Sequence, residues 1–319
     1  MLVVGVNLAM DRTLRLPSLV PGHVQRPRSA DVTAGGKAVN VCRACQAHGV
    51  LPRLVANLPG QLGRYVGDLL DREGHDVRRV VTAGEARSAI VIIEDDARIT
   101  VLNEPGPVLT YDHRLAVMRA VGEEARGQRV VVMSGSLPPG ATDGLYADLV
   151  DAAHRCGSTV VLDAARRPLR DALAAGPDVV TPNLAEALGV LSGSGTAEGE
   201  SVEPEGADVP DQAVGAALAL RSAGAKAALV TAGRYGVGGA DAEGTFWVSA
   251  PRVHEVNPIG AGDAFAAGLA VGLERGADLR TSALQAVATA AASVSTELAG
   301  HVDQDLLRTL LPTLGWEPR

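Results

Sequence analysis

The stretch NPIGAGDAFAAGLAVGL, residues 257–273, holds the residue types in this chain best suited to chemistry. Gly260 and Gly262 permit close backbone approach, and the apolar run after them has the composition of a helix. The first N–H groups of such a helix have no intrahelical acceptor and carry the positive end of its dipole. Gly260, Ala261 and Gly262 would therefore form a hole for an anion. Asp263 falls in the first turn. As a plain helix-start acid it would contribute about 0.3–1 kcal/mol. A carboxylate beside a bound anion is electrostatically unfavourable, however, unless it takes a proton from a nucleophile attacking that anion. The pattern fits phosphoryl transfer with Asp263 as general base.

Competing signals fail on spacing. Lys37 is followed by Ala38 rather than Ser or Thr and lacks the upstream glycine of a P-loop. GRYGVGG at residues 233–239 is not the GxGxxG of a dinucleotide fold. Cys42 and Cys45 make a CxxC with no second pair to complete a zinc site, so two small side chains packed inward on one helix face are expected. With Cys156 as the third cysteine there is no paired framework, in keeping with a reducing compartment.

The elements that must position these residues follow from periodicity. LVVGVNLA reads as a buried strand, and Gly35-Gly36 opens a helix over 37–48. Residues 12–32, with Pro17, Pro21 and Pro27, suggest short strands outside a main sheet, and 89–102 reads as two apolar runs joined at Asp95-Asp96. From Tyr111 the pattern alternates: helix 111–126, strand RVVVMSG, helix 142–156, strands STVVLDA and DVVTPN. Such alternation means a parallel sheet covered on both faces. The acidic Gly/Ser/Pro-rich stretch 192–212 reads as a mobile surface loop, with regular structure resuming at Ala213. A strand at 227–231, a hairpin at 236–240 and 245–248, and helices 262–273 and 283–298 complete the reading. The expectation is one α/β domain over 1–319, a mainly parallel sheet between helices. A small β lid is drawn from 12–32 and 89–102, and the site lies at the carboxyl ends of the strands.

Composition bounds the partners. The 319 residues are 46% hydrophobic and 21% charged, and 29 Lys plus Arg against 37 Asp plus Glu leave a formal net charge of −8. That acid excess gives no basis for binding nucleic acid or an anionic membrane, and no apolar run reaches the roughly 20 residues of a bilayer span. The N-terminus reads as a strand rather than an export signal, so a cytoplasmic protein is expected.

Taken together, the motifs resemble those of the ribokinase-like, or PfkB, carbohydrate kinases. GAGDAFAAG is similar to their C-terminal signature. NLAMD at 7–11 is similar to the NPALD of the phosphosugar branch, and GGKAVNVCRA at 35–44 to its GGKGINVSRVL. LNEPGP at 102–107, SGSLPPG at 134–140, PNLAEA at 182–187 and VTAGRYG at 230–236 follow in family order, so the resemblance spans the chain. It implies a ribokinase-like fold, ATP and Mg2+, a homodimer paired through the lids, and phosphorylation of a sugar phosphate. The best match is conversion of fructose 1-phosphate to fructose 1,6-bisphosphate. Tagatose 6-phosphate or fructose 6-phosphate as substrate, or phosphosugar sensing without turnover, are the alternatives; intact Asp263, Gly260, Gly262, Asn183 and Glu186 argue against a pure sensor.

The resemblance also assigns residues. Asp11, Gly36 and Asn40, with Gly35, Lys37 and Ser136, fall on the sugar side, where a carboxylate and an amide supply the acceptors and donors a polyol needs. Arg87 matches the arginine that binds the substrate's own phosphate, a bidentate role suited to guanidinium, with Lys37 and Arg26 as further candidates. Thr231, Gly233 and Gly236, with Gly260 and Gly262, fall beside the nucleotide. Asn183 and Glu186 match an NxxE that organises magnesium, expected on one face of a helix. Asp263 with Gly260, Ala261 and Gly262 forms the catalytic centre. Leu8, Ala38, Ala89 and Val101 depart from the family pattern and put the identity of the sugar in doubt more than the reaction.

Overall fold

Valine-rich runs such as LVVG, VVVMS and TVVLD are buried along almost their whole length and become neighbouring strands. In the computed structural model, which describes residues 1–96, 98–141, 144–193 and 205–319, the strands are β1 (Leu2–Gly5), β2 (Ala9–Leu16), β3 (Ser29–Gly35), β4 (Arg53–Asn57), β5 (Asp76–Val80), β6 (Arg87–Glu94), β7 (Ile99–Asn103), β8 (Val130–Ser134), β9 (Thr159–Asp163), β10 (Val179–Val180), β11 (Ala227–Thr231), β12 (Gly236–Asp241), β13 (Gly244–Ser249) and β14 (Trp316–Pro318). The helices are α1 (Lys37–Ala47), α2 (Gly60–Arg72), α3 (Tyr111–Glu124), α4 (Leu145–Arg155), α5 (Arg166–Ala172), α6 (Leu184–Ser192), α7 (Val209–Ser222), α8 (Ala261–Glu274), α9 (Leu279–Val294) and α10 (Gln304–Leu310).

Among the described residues the larger sheet has ten strands in the order β14-β13-β12-β11-β10-β9-β8-β1-β4-β5. From β11 to β5 the pairings are parallel, and β12, β13 and β14 add an antiparallel edge. Alternation along each strand feeds two cores: Leu2 and Val4 pack with α3, α4, α6 and α7, whereas Val3 packs with α1, α2, α8 and α9. A smaller sheet, ordered β3-β2-β6-β7, stands apart. The architecture is the expected α/β one, with the small second sheet present. Among the described residues no helix is long and apolar enough to cross a membrane.

Several boundaries move. LVVGVNLA is not one strand: β1 ends at Gly5, and Ala9 already pairs in the second sheet. That sheet therefore begins earlier and ends later than 12–32 and 89–102, because Ala9, Gly35, Arg87 and Asn103 all join its ladders. The helix expected at 283–298 spans Leu279–Val294, started by the Asp278 side chain accepting from Thr281 N. Helix α7 begins at Val209, ahead of Ala213, with proline at its start. Residues 194–204 of the acidic stretch read as a loop lie outside the described residues. The expected packing of Cys42 and Cys45 holds, since both are fully buried on α1 and burial pushes both thiols up.

Helices α8 and α9 approach closely. A Cβ on Gly268 would lie 2.5 Å from Thr289 Oγ1 and 2.9 Å from Ala286 Cα. Gly122, within α3, would meet nothing within 4 Å. Gly268→Val is expected to destabilise by about 1–3 kcal/mol through overpacking, and Gly122→Ala to stabilise by roughly 0.5–1 kcal/mol. Chemical denaturation of the two variants checks both signs.

Candidate active site

The carboxyl ends of β1, β8, β9, β10 and β11 open into a cleft of about 860 Å³, lined among others by Gly5, Ser134, Asp163, Thr181 and Thr231. The second sheet supplies the facing wall. Its register sets Asp11, Ala89 and Asn103 in one row and Thr13, Val91 and Val101 in the next, and all but Thr13 line the cleft. Asp263, Gly260, Gly262, Gly36, Lys37, Asn40, Arg87, Ser136, Asn183 and Glu186 converge on the same space.

At the floor, the turn before α8 is pinned by Asn257, whose Oδ1 accepts from Ile259 N at 3.0 Å and whose Nδ2 donates to Glu297 O at 2.8 Å. Gly260 precedes the helix with φ +86°, a left-handed conformation that a side chain would strain, and an added Cβ would lie 3.0 Å from Gly300 N. Gly262 differs. Its φ is ordinary and an added Cβ would meet nothing within 4 Å, so the protein itself does not require glycine there. What a side chain at Gly262 would occupy is the open cleft over the helix start. Ala261 N donates to Pro258 O at 3.2 Å, so its N–H is spent on the turn, which corrects its assignment to the anion hole. The Gly262 and Asp263 N–H groups lie within the first turn, where no intrahelical acceptor exists.

Asp263 is 5% exposed, and Asn40 Nδ2 donates to its Oδ2 at 2.8 Å. Burial raises its pKa to about 7; Lys37 and the Asn40 bond oppose the rise, and Asp163 and Glu186 add to it. Lys37 Nζ lies 3.2 Å from Asp163 Oδ2, and Ser134 Oγ donates to the same carboxylate oxygen at 2.9 Å. Against its own desolvation, the Asp163, Asp263 and Glu186 carboxylates keep Lys37 firmly protonated. Lys37 therefore serves as counter-charge to three acids at the floor of the cleft.

Asn183 is the cap of α6 rather than a residue on its face. Its side chain accepts from Glu186 N at 2.8 Å while Glu186 Oε2 accepts from Asn183 N at 2.9 Å, a reciprocal capping box. Glu186 still faces the cleft, and burial raises its pKa against the pull of Lys37. Asp11, raised to about 6 by burial against Arg87 and Arg43, lies over Gly35: a Cβ there would come within 2.0 Å of its carboxylate. Gly35 thus seats Asp11 and does not itself line the cleft. Arg87 Nε donates to Asn7 O at 3.0 Å and Arg87 NH1 to Asn103 Oδ1 at 3.3 Å, which sets the guanidinium on the second-sheet wall.

The pattern of the pfkB family carbohydrate kinases matches residues 2–305. The chain belongs to that family. 1-Phosphofructokinase of Rhodobacter capsulatus is 33% identical over 293 residues, covering 89% of this chain and 87% of the relative. Phosphofructokinase-2 from Escherichia coli in complex with fructose-6-phosphate has the same fold at TM-score 0.85 and 24% identity, covering 98% of each chain. Arabidopsis thaliana ribokinase complexed with ribose and ATP aligns at TM-score 0.72 and 21% identity, covering 97% of this chain and 98% of the other. The protein is a carbohydrate kinase, a phosphotransferase acting on an alcohol, and as in its family the donor is ATP.

Some expected residues of this carbohydrate kinase stand elsewhere. Thr231 lines the cleft, but Gly233 and Gly236 do not: Gly233 is exposed in a short turn, and Gly236, at φ +137°, would meet Val248 O at 2.1 Å and so serves strand packing. Arg26 is exposed and away from the cleft wall. Leu8, Ala38, Ala89 and Val101, the departures from the family pattern, all line the cleft. Asp163 and Ser134 were missed, although STVVLDA carries an acid at the carboxyl end of a buried strand, where open α/β sheets place their sites.

The geometry at Gly262 separates folding from binding. Gly262→Ala is expected to unfold at or slightly above the wild-type temperature, since alanine favours a helix by about 1 kcal/mol. Its kcat/KM for ATP should fall at least about tenfold, because the added methyl enters the phosphate space. Thermal unfolding and steady-state kinetics on one preparation check the pair.

Proposed function

We propose that this kinase transfers the γ-phosphoryl group of ATP to a sugar phosphate, taking fructose 1-phosphate to fructose 1,6-bisphosphate. The observation that carries the reading is the buried Asp263 carboxylate in the first turn of α8, next to the open Gly262 position at the cleft. With Oδ2 held by Asn40, Oδ1 is the atom that takes the acceptor hydroxyl proton as that oxygen bonds to phosphorus and ADP leaves. The N–H groups of the first turn and the Lys37 ammonium neutralise charge developing on the transferred group. Asp11 and Asn40 hold sugar hydroxyls, with Gly36 admitting the ligand and Ser136, steadied by Asn7 Nδ2 at 3.2 Å, bonding at the rim.

Magnesium fits this floor as a hydrated ion. Among the described residues no three His, Cys, Asp or Glu side chains group as a complete metal cage. Glu186 spends one oxygen on its cap and itself lines the cleft, so its second oxygen suits an ion that retains waters and shares phosphate oxygens. When bound there, beside Asn183 and Glu186, it would neutralise phosphate charge.

The second sheet acts as the lid whose closure keeps water from competing as acceptor. Its edge strand β7 exposes Leu102 at 54%, on the face opposite the cleft-lining Val101, which supports pairing of two lids in a homodimer. An acidic chain whose three cysteines are unpaired, Cys42 and Cys45 buried and Cys156 half-buried, is in keeping with the cytoplasm.

Arg87 decides between phosphorylated and free sugars, since only a phosphate gives a guanidinium a charge-assisted bidentate partner. An ADP-release screen should favour fructose 1-phosphate over tagatose 6-phosphate, fructose 6-phosphate and free fructose. Arg87→Ala should lose roughly 30-fold to several thousand-fold in kcat/KM on the phosphosugar and leave trace activity on fructose unchanged. Preference for an unphosphorylated sugar, or full activity of the variant, would overturn the phosphosugar reading.

A further inference from the structure

Behind Asp263 a chain of side chains runs away from the cleft. Asn40 is 7% exposed and sits between two neighbours: its Nδ2 donates to Asp263 Oδ2, and its Oδ1 accepts from Arg43 NH1 at 3.2 Å. Arg43, one turn further along α1 with a side chain 12% exposed, divides its remaining donors. Its NH2 donates to Ala34 O at 2.7 Å and to Glu73 Oε1 at 2.8 Å, and its Nε donates to Glu73 Oε2 at 2.8 Å. Glu73 in turn lies 3.3 Å from His75 Nε2, whose Nδ1 is 3.2 Å from Gln46 Nε2. Because the Gln46 amide nitrogen is a donor, His75 accepts at Nδ1 and donates to Glu73 from Nε2.

We propose that Arg43 is a positioning residue for phosphoryl transfer: it locks the Asn40 amide in the one orientation that points a donor at Asp263. The inference rests on the reading of Asp263 as the base. An asparagine amide has an acceptor end and a donor end of nearly equal shape, and guanidinium has donors only. With Arg43 at one end, Oδ1 must face it and Nδ2 must face Asp263. That donor stabilises the ionised, proton-accepting form of the base. A flipped amide would present Oδ1 to Asp263, and an oxygen there favours the protonated, inactive form. The bond from Arg43 to Ala34 O also ties α1 to the end of β3, next to Gly35 and the seat of Asp11, so one side chain fixes base and sugar wall together.

The charged neighbours make a conservative test available. Lys37, Asp163 and Glu186 face Asp263. Glu73, Asp11 and His301 feel the charge of Arg43, and His75 faces Glu73. Arg43→Lys keeps that charge for all of them. A single ammonium cannot reproduce a fork that serves Asn40, Ala34 and both Glu73 oxygens. A change in Arg43→Lys therefore reports the hydrogen bond rather than the charge.

The experiment is the pH profile of kcat/KM for wild type, Arg43→Lys and Glu73→Gln, each checked for folding by thermal melt. The base works only when ionised, so wild-type kcat/KM should fall as pH drops through about 7, toward tenfold per unit. Losing the donor raises the pKa further, so the Arg43→Lys limb should move up by about one pH unit. Its kcat should be about eightfold below wild type at pH 6.5, recover most of that deficit at pH 9, and keep KM for ATP within about twofold. Glu73→Gln, which loosens Arg43 without touching Asn40, should shift the limb in the same direction by less. If folded Arg43→Lys and Glu73→Gln keep the wild-type limb, or lose kcat equally at every pH, the positioning role is wrong while the base assignment stands. Absence of an acid limb in wild type would instead remove the base reading itself.

Discussion

An acid can serve as a base near neutral pH only if it is partly dehydrated yet still able to ionise, and the surroundings of Asp263 in the cleft of this kinase meet both conditions. Burial alone would hold the carboxyl protonated, and the nearby Asp163 and Glu186 push the same way. Lys37 and the Asn40 amide supply the opposing pull, together with the dipole of α8. The balance leaves a group that titrates near neutrality, the condition under which proton transfer in either direction is cheap.

Much of the rest of the fold can be understood as support for that balance. Lys37 and Asn40 come from α1, whose entry through Gly36 at φ +102° lets the chain turn from the second sheet straight into the helix. Asp163 and Ser134 come from the ends of neighbouring parallel strands, where backbone pairing fixes their spacing. The second sheet brings Asp11 and Arg87 from the other side. Because Ala9 pairs with both Gly35 and Arg87, a movement of that sheet carries the sugar-side groups as a unit.

The larger sheet, the turn before α8 and many of the cleft-lining residues were legible in the sequence because each rests on a local signal. Continuous valine runs mean buried parallel strands, and glycine pairs before a helix mean an anion site. What was not legible depends on long-range contact. Residues 49–88 supply β4, α2 and β5, and DVRRV in β5, with two adjacent arginines that break strand alternation, is a weak signal for a strand that only its neighbour β4 completes. Gly35 and Gly262 look alike in sequence, yet one makes room for Asp11 and the other faces empty cleft. Asn183 and Glu186 were placed on one helix face, whereas the proline before them ends an extended segment and makes Asn183 the cap. Arg43 carries no local signal of its own, and only the fold brings Glu73 and Ala34 to its other donors.

On the proposed mechanism the Asp263 carboxylate, rather than the anion site alone, drives the chemical step. Asp263→Asn keeps the shape of the site and the N–H groups of α8, so ATP affinity measured by calorimetry should stay within a few-fold of wild type. Single-turnover phosphorylation of fructose 1-phosphate should slow by roughly 100-fold or more, the scale of general base catalysis. A variant that binds ATP normally and still transfers phosphate at a near wild-type rate would show that Asp263 is not the base.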